Sequence, residues 1–471
     1  MATGRFGSSE SQHKFTVTSN SQNAERAARF VREQLPPGGL FQDQEWRIAP
    51  EPFPLTAAQV RELESLGRLL LQFYKATNLL YRQSVVGKQP EWVATLYDQG
   101  KPAQLIEWQR HPAFKNELPR VIRPDLLLTE EGFAITELDS VPGGIGLTAW
   151  LNRVYAQLAE DGQGSAASSP VIGGRDGMLE GFRGIFGDAS RVHLVVSEES
   201  AAYRPEMEWL AAEMRPLEAQ VRDVHFNEWK EGDAIYRFFE LFDLANVPSA
   251  SSMLSLAAEH RVKLTPPLKP VLEEKLTLAL LWNRNLRGYW KQELGEGFLQ
   301  RLLKMVPYSW VVDPTPLPPH AAFPGLDLTR WDDLKTLSQR ERDLILKVSG
   351  YSEEAWGARG VYLGSDLSQA DWSVAVDKAL QEFSRSPFVL QRYHKPRVVD
   401  FSYFDFTTEK QISMASRVRL CPYYFVTGEG DAARAHLGGV LATACPSDKK
   451  IIHGMKDAIL APCVVKVIEN E

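Results

Sequence analysis

Cysteine is scarce in this chain: Cys421, Cys445 and Cys463 are the only three in 471 residues, they stand 24 and 18 residues apart, and no CxxC pair occurs. The nine histidines never fall at HxxxH spacing. A disulfide framework and a zinc site therefore have no basis, and a reducing, cytoplasmic compartment is expected. Long hydrophobic runs are missing as well. Stretches such as 69–71 and 278–282 fall far short of the roughly 18 residues that a membrane span needs. The first twenty residues, rich in Ser, Gln and Asn, lack the apolar core of a secretory signal. Basic excess is absent too: 53 Lys and Arg against 60 Asp and Glu leave a net charge of −7. Neither nucleic acid nor an anionic membrane is an expected partner.

What is present is globular material. The chain is 44% hydrophobic and 24% charged, and its length predicts about three domains. Residues 1–24 read as a flexible or strand-like tail, and 23–34 as a helix that Pro36, Pro37 and two glycines end. Between 56 and 83, Val60, Leu63, Leu66, Leu70 and Phe73 recur at steps of three and four, the mark of a long amphipathic helix. A Gly/Ser/Ala stretch spans 161–177. Beyond it, a strand at 191–197, a helix at 205–214 and a strand at 233–240 predict a small parallel α/β module. A proline-rich piece at 313–319 separates a helical region from a last segment of short strands.

Four local patterns carry candidate chemistry. Residues 123–144 read as a hairpin with a Glu-Glu-Gly turn and a Pro-Gly-Gly break behind it. Strand alternation puts Phe133, Ile135, Glu137 and Asp139 on one face. The two carboxylates suit a hard cation bridged to phosphate, or else they are strand ends emerging into solvent. Lys347 ends an apolar run ahead of a loop, 348–360, that contains Gly357 and Gly360. A strand-end lysine with a glycine-containing loop suits phosphate binding, although the GxxxxGK[ST] order is absent and an ordinary hairpin connection would look alike. Residues 388–391 form a short buried strand ending in Leu390 and Gln391, and Arg417 and Arg419 share a face ahead of 422–426. Gly428 to Ala433 fits GxGxxA with Asp448 twenty residues on, but no βαβ unit surrounds it.

In this order the features resemble the circularly permuted ATP-grasp ligases, the family of eukaryotic glutathione synthetase and of glutathionylspermidine synthetase-like enzymes. Glu137-Leu-Asp139-Ser140 followed by Pro142-Gly143-Gly144 stands where that family has its ExN magnesium motif, ahead of a small α/β substrate module. Lys275, within 265–281, matches a phosphate-binding helix lysine, and Lys347 to Gly360 a lysine-plus-loop element. Residues 389–393 match a hinge strand, and Arg419 with Gly438-Gly439 a closing arginine strand and turn. The resemblance covers about 120–465. It implies an α+β, circularly permuted ATP-grasp fold with a small parallel α/β module and a helical N-terminal region. The implied divisions are 1–24, 25–185 including the hairpin 121–144, 186–250, 251–345 for one ATP-grasp lobe and 346–471 for the other.

The implied activity is ATP-dependent carboxylate-amine ligation through an acylphosphate, with ATP and Mg²⁺ bound and with a small-molecule carboxylate and amine as substrates. Glu137, Asp139 and Glu353 or Glu354 would hold magnesium. Lys275, Lys347, Gly357, Gly360, Leu390 and Gln391 would hold ATP, and Arg419 would meet the transferring phosphate. Arg237 would pair with a substrate carboxylate or lie at the surface. Three features depart from the family pattern: Asp139 replaces Asn, the loop 351–356 is longer than usual, and Ala442 stands where many relatives have an arginine. A nucleotide-binding or scaffolding protein without catalysis is the alternative. The acid, the amine and the oligomeric state are not written in the sequence.

Overall fold

Thr56 opens the helix Ala57–Val85 with a reciprocal cap: its hydroxyl accepts from the Gln59 amide at 3.2 Å, and the Gln59 side chain accepts from the Thr56 amide at 2.9 Å. One face of this helix, with Leu63, Leu66, Leu69 and Leu70 fully buried, lies on the central sheet. Each such leucine contributes roughly 1.5–3 kcal/mol. Gly67 lets the Tyr424 ring pass where a Cβ would come within 2.6 Å of it, and the Tyr424 hydroxyl donates to the Leu63 carbonyl at 2.6 Å. The computed structural model describes residues 10–37, 39–40, 46–162, 169–355, 357, 359–452 and 456–466. The first helix, Glu10–Glu33, starts well before the expected position at 23 and takes in much of the supposed tail.

The central sheet has eight strands. Its main path runs Arg47–Ile48, Ile459–Val465, Arg434–Pro446, Lys410–Thr427, Val121–Thr129 and Gly132–Asp139. Val398–Asp405 pairs with Lys410–Thr427 to form an extended arm, and Phe53–Leu55 pairs with Ile459–Val465. The early hairpin therefore lies beside a strand from the last part of the chain, antiparallel to it. A second, antiparallel sheet has the order Val361–Leu363, Leu344–Val348, Phe388–Arg392, Ser309–Val311. The expected lobe boundary at 345/346 falls inside its strand Leu344–Val348, and the strand Ser309–Val311 crosses from one supposed lobe to the other.

The third sheet is parallel, as expected, with the order Glu218–Arg222, Arg191–Val196, Ala234–Phe238, Lys263–Thr265. Its fourth strand comes from beyond residue 250, so this module reaches further along the chain than 186–250. Residues 428–433, which fit the GxGxxA pattern, connect Lys410–Thr427 to Arg434–Pro446 as a hairpin turn with Gly428 at φ +75° and Gly430 at φ +55°. Gly438-Gly439 is no turn. It lies within the strand Arg434–Pro446, where Tyr423 pairs with Gly439 and Tyr424 with Leu437, leaving Gly438 as a bulge under Phe425.

A second bulge decides the site. Asp125 pairs with Glu137 and Leu126 with Ile135, so Thr136 has no partner across the hairpin. The inserted residue exchanges the faces of everything beyond it. Phe133 and Ile135 enter the core beneath Ala57–Val85, whereas Glu137 and Asp139 stand on the opposite face beside Asp125 and Arg123. The two carboxylates share a face as expected, but not the face of Phe133 and Ile135.

Candidate functional site

A cavity of about 380 Å³ opens where the three sheets meet. Its floor is the face of the central sheet that carries Arg123, Asp125, Arg419, Cys421 and Tyr423, onto which the Thr136 bulge turns Glu137 and Asp139. The second sheet supplies Ile345 and Lys347, and the loop behind it Ala355 and Gly357. The parallel module contributes Tyr203, Phe238, Phe239 and Glu240, which follow the C-terminal ends of its strands, where open α/β sheets commonly bind ligands. Lys275 enters from the residue ahead of the helix Leu276–Trp282, and Lys450 from the far side.

The charged side chains form a chain of alternating sign. Lys275 Nζ lies 2.6 Å from Glu137 Oε1. Asp139 Oδ2 lies 2.9 Å from Arg123 Nη2, Arg123 Nε lies 3.1 Å from Asp125 Oδ1, and Asp125 Oδ2 lies 2.9 Å from Arg419 Nη1. Burial pulls the Lys275 ammonium down, but Glu137 beside it more than restores it, so it sits above its ordinary value. Burial raises the Asp139 carboxyl above the usual carboxylate range against the pull of Arg123. Next to Lys275, Glu240 is held above that range by burial and by the Glu273 charge, and Glu273 by burial and by the charges of Asp139 and Glu274, against the pull of Arg237.

Lys347 differs from the rest. Its ammonium donates to the Thr136 carbonyl at 3.2 Å and to Gln391 Oε1 at 3.1 Å, both neutral. Among the described residues it has no carboxylate at ion-pairing distance. Burial, with Lys275 adding to it, brings its pKa down to about 8 although Glu137 and Asp125 pull the other way. It is a buried cation facing a cavity without a counter-ion at contact distance, which is what an anion site requires.

Of the candidate residues, the structure gathers Glu137, Asp139, Lys275, Lys347, Gly357 and Arg419 around this one cavity. Others lie elsewhere. Gln391 sits behind Lys347, bonded to it and to Ser309 Oγ at 3.1 Å. Leu390 points the other way into the core with Trp310 and Leu346. Gly360 packs against Val348 and Glu354, where a Cβ would approach Val348 within 2.7 Å. Glu353 is exposed and Glu354 is held by Lys378 at 2.6 Å, so neither carboxylate reaches Glu137 and Asp139. Arg237 is fully buried, ion-paired with Glu273 and bonded to the Phe239 carbonyl at 2.5 Å, which leaves it to neither a substrate nor the surface. Ala442 pairs with Leu420 and faces the helical core, while its neighbours Leu441 and Thr443 line the cavity. An arginine at 442 on this register would point away from the site.

Sequence reasoning missed Arg123, Asp125, Glu240 and Tyr203. The signal for the first two was there: charges at alternate positions of an otherwise apolar strand need a partner on one face. Glu206 was missed as well. Its carboxylate accepts from the Gly144 and Gly146 amides at 3.2 and 2.9 Å, tying the parallel module to the loop behind Asp139. Burial pushes its pKa up to about 8 despite those bonds.

A pKa raised on folding contributes stability that is full below the ordinary value, here 4.5, and is lost as pH rises through the folded value, here about 8. The free energy of unfolding, and with it the urea midpoint, is therefore expected to fall between those limits, the former by an amount on the order of a few kcal/mol. Glu206→Gln, which like the protonated acid is uncharged and keeps one carbonyl acceptor, should flatten the fall. An unchanged slope in that variant, measured by urea unfolding across the range, would refute the assignment.

Among the described residues, no three His, Cys, Asp or Glu side chains are gathered as a metal site would gather them. Magnesium makes a smaller demand, resting on one or two carboxylates and completing its octahedron with water and phosphate. Glu137 and Asp139 meet that demand from cavity-facing positions with side chains 35% and 28% exposed. No described helix is long and apolar enough to cross a membrane.

No family model and no curated protein sequence matches this chain. Among solved structures, it is similar to a glutathione synthetase-like effector from Globodera pallida in its apo form, at 10% identity over 96% of this chain and 97% of that one, with a TM-score of 0.55. It was also matched to a putative gamma-glutamylcysteine synthetase from Methylobacillus flagellatus at 12% identity, over 88% and 89% of the two chains, with a TM-score of 0.39. At its identity and coverage, the first likeness is one of fold: this chain and a glutathione synthetase-like protein share an architecture over nearly their whole lengths.

Proposed function

We propose that this chain is an ATP-dependent carboxylate-amine ligase on a circularly permuted ATP-grasp fold, acting in the cytoplasm. The observation that carries the reading is Lys347, a buried cation with only neutral partners, facing the cavity that also holds Lys275, Arg419, Glu137 and Asp139. In the proposed reaction a substrate carboxylate oxygen attacks the γ-phosphorus of ATP and ADP leaves. An amine then attacks the acyl carbon of the acylphosphate and inorganic phosphate leaves. Lys347 and Lys275 would hold phosphate oxygens, and Arg419 would neutralise charge on the transferring group. Glu137 and Asp139 would hold magnesium, which supplies charge neutralisation across the phosphates. In this reading Gln391 and Arg237 are supports: Gln391 fixes the Lys347 ammonium, and Arg237 anchors Glu273 behind the site.

A second reading, a nucleotide-binding protein without catalysis, is favoured by one observation: Glu137 and Asp139 are already ion-paired and Glu353 and Glu354 lie away from them. Calorimetry with ATP and Mg²⁺, followed by ADP release against pooled amino acids, small peptides and polyamines with mass analysis, separates the readings. The ligase requires ADP and an amide. Binding heat without ADP leaves the second reading, ADP with a phosphorylated product and no amide indicates a kinase, and no heat at millimolar ATP overturns both.

A further inference from the structure

Two cations of the cavity are covered by the very carboxylates proposed for magnesium. Lys275, its side chain 9% exposed, has Glu137 at 2.6 Å and the Ala355 carbonyl at 3.1 Å. Arg123 Nη2 has Asp139 at 2.9 Å. Lys347, by contrast, presents its charge against neutral partners only. From this difference we infer that Glu137 and Asp139 determine which polyanions the cavity accepts, excluding metal-free polyphosphate and admitting the cation-complexed form. The inference rests on the polyphosphate reading of the cavity and deepens it.

The argument is one of pairing. A free polyphosphate that takes Lys275 either displaces Glu137, which leaves a carboxylate without a cation near Asp139, Glu240 and Glu273, or binds with Glu137 still in place and meets its repulsion. A divalent complex changes both terms together. Its oxygens take Lys275 and Arg123 while its cation takes Glu137 and Asp139, so every charge keeps an opposite neighbour. Neither the cation alone nor the anion alone allows that exchange, and their binding is therefore positively coupled.

The probe is inorganic tripolyphosphate, titrated calorimetrically into the full chain at constant ionic strength, with chelator or with Mg²⁺. In the wild type, Mg²⁺ is expected to tighten binding by about tenfold or more, a typical coupling. In Glu137→Gln, metal-free tripolyphosphate should bind about tenfold tighter than in the wild type, because Lys275 is uncovered, and the Mg²⁺ effect should shrink to about twofold or less. A role in structure alone would weaken binding in both conditions and would not invert the metal-free result. Asp139→Asn, which releases Arg123 Nη2 while Asp125 keeps Nε, should move in the same direction by a smaller amount and serves if Glu137→Gln fails to unfold cooperatively. Metal-free binding that is unchanged or weaker in the variants overturns the selectivity role alone. Absence of tripolyphosphate binding to the wild type both with chelator and with Mg²⁺ overturns the polyphosphate reading with it.

Discussion

Lys347→Met is expected to weaken ATP binding by about 10- to 150-fold, the equivalent of one charge-assisted hydrogen bond of roughly 1.5–3 kcal/mol, while making the protein more resistant to urea. The two effects have opposite signs because Lys347 serves a ligand at the expense of the fold. Its pKa falls from 10.5 to about 8 because burial strips the ammonium of water, which amounts to roughly 3 kcal/mol of strain on the folded state at neutral pH. Methionine keeps the unbranched shape and removes the charge. The Thr136 carbonyl and Gln391 Oε1 lose their donor, at about 1 kcal/mol each, so the net gain is about 1 kcal/mol. Urea midpoints and ATP calorimetry on the same preparations check both signs. Unimpaired ATP binding, or a large loss of stability, would make Lys347 a structural residue and remove the foundation of the ligase reading.

How much of this was legible in the sequence depends on whether one strand or several had to be known. Periodicity found the long helix because Val60, Leu63, Leu66, Leu70 and Phe73 report a single local regularity, and all five are buried. The hairpin, the strand that carries Lys347 and the parallel module were found for the same reason. The face occupied by Glu137 and Asp139 was misjudged because a bulge at Thr136 is a property of the pairing with Val121–Thr129, and alternation within one strand does not reveal it. Arg237 was misjudged for a similar reason: an arginine on a strand reads as reaching outward until the Glu273 carboxylate from a distant segment closes over it. The concern over Ala442 dissolves once the register opposite Leu420 is known, since that face belongs to the core. Leu390 and Gln391 show the alternation rule working in reverse. Adjacent strand residues cannot both face one cavity, and here one packs into the core while the other supports a lysine.

The largest expected loss of stability lies outside the cavity, in a pair that no motif announces. Lys101 Nζ and Glu274 Oε1 are 2.7 Å apart with side chains only 1% and 2% exposed. Removing one partner strands the other's charge in a dry interior, so Lys101→Met and Glu274→Gln should each cost about 3–5 kcal/mol, and the double variant markedly less than the sum. The pair also reaches the cavity. The other oxygen of Glu274 accepts from the Ser349 hydroxyl, which itself accepts from the Leu276 amide at 2.9 Å, while the Ser349 carbonyl accepts from the Lys275 amide at 3.0 Å. Ser349 lies two residues beyond Lys347, and at Gly350 a Cβ would stand 2.9 Å from the Glu274 carboxyl carbon. Lys101, Glu274 and Ser349 thus fasten the backbone that carries Lys275 to the strand that carries Lys347, which sets the spacing of the two proposed phosphate cations. Urea unfolding of the three variants gives the coupling energy, and ATP calorimetry on whichever of them remains folded tests the spacing, with weaker binding expected wherever the pair is broken. Strictly additive losses, with ATP affinity untouched, would show that Lys101 and Glu274 act separately and that the lysines owe their positions to the sheets alone.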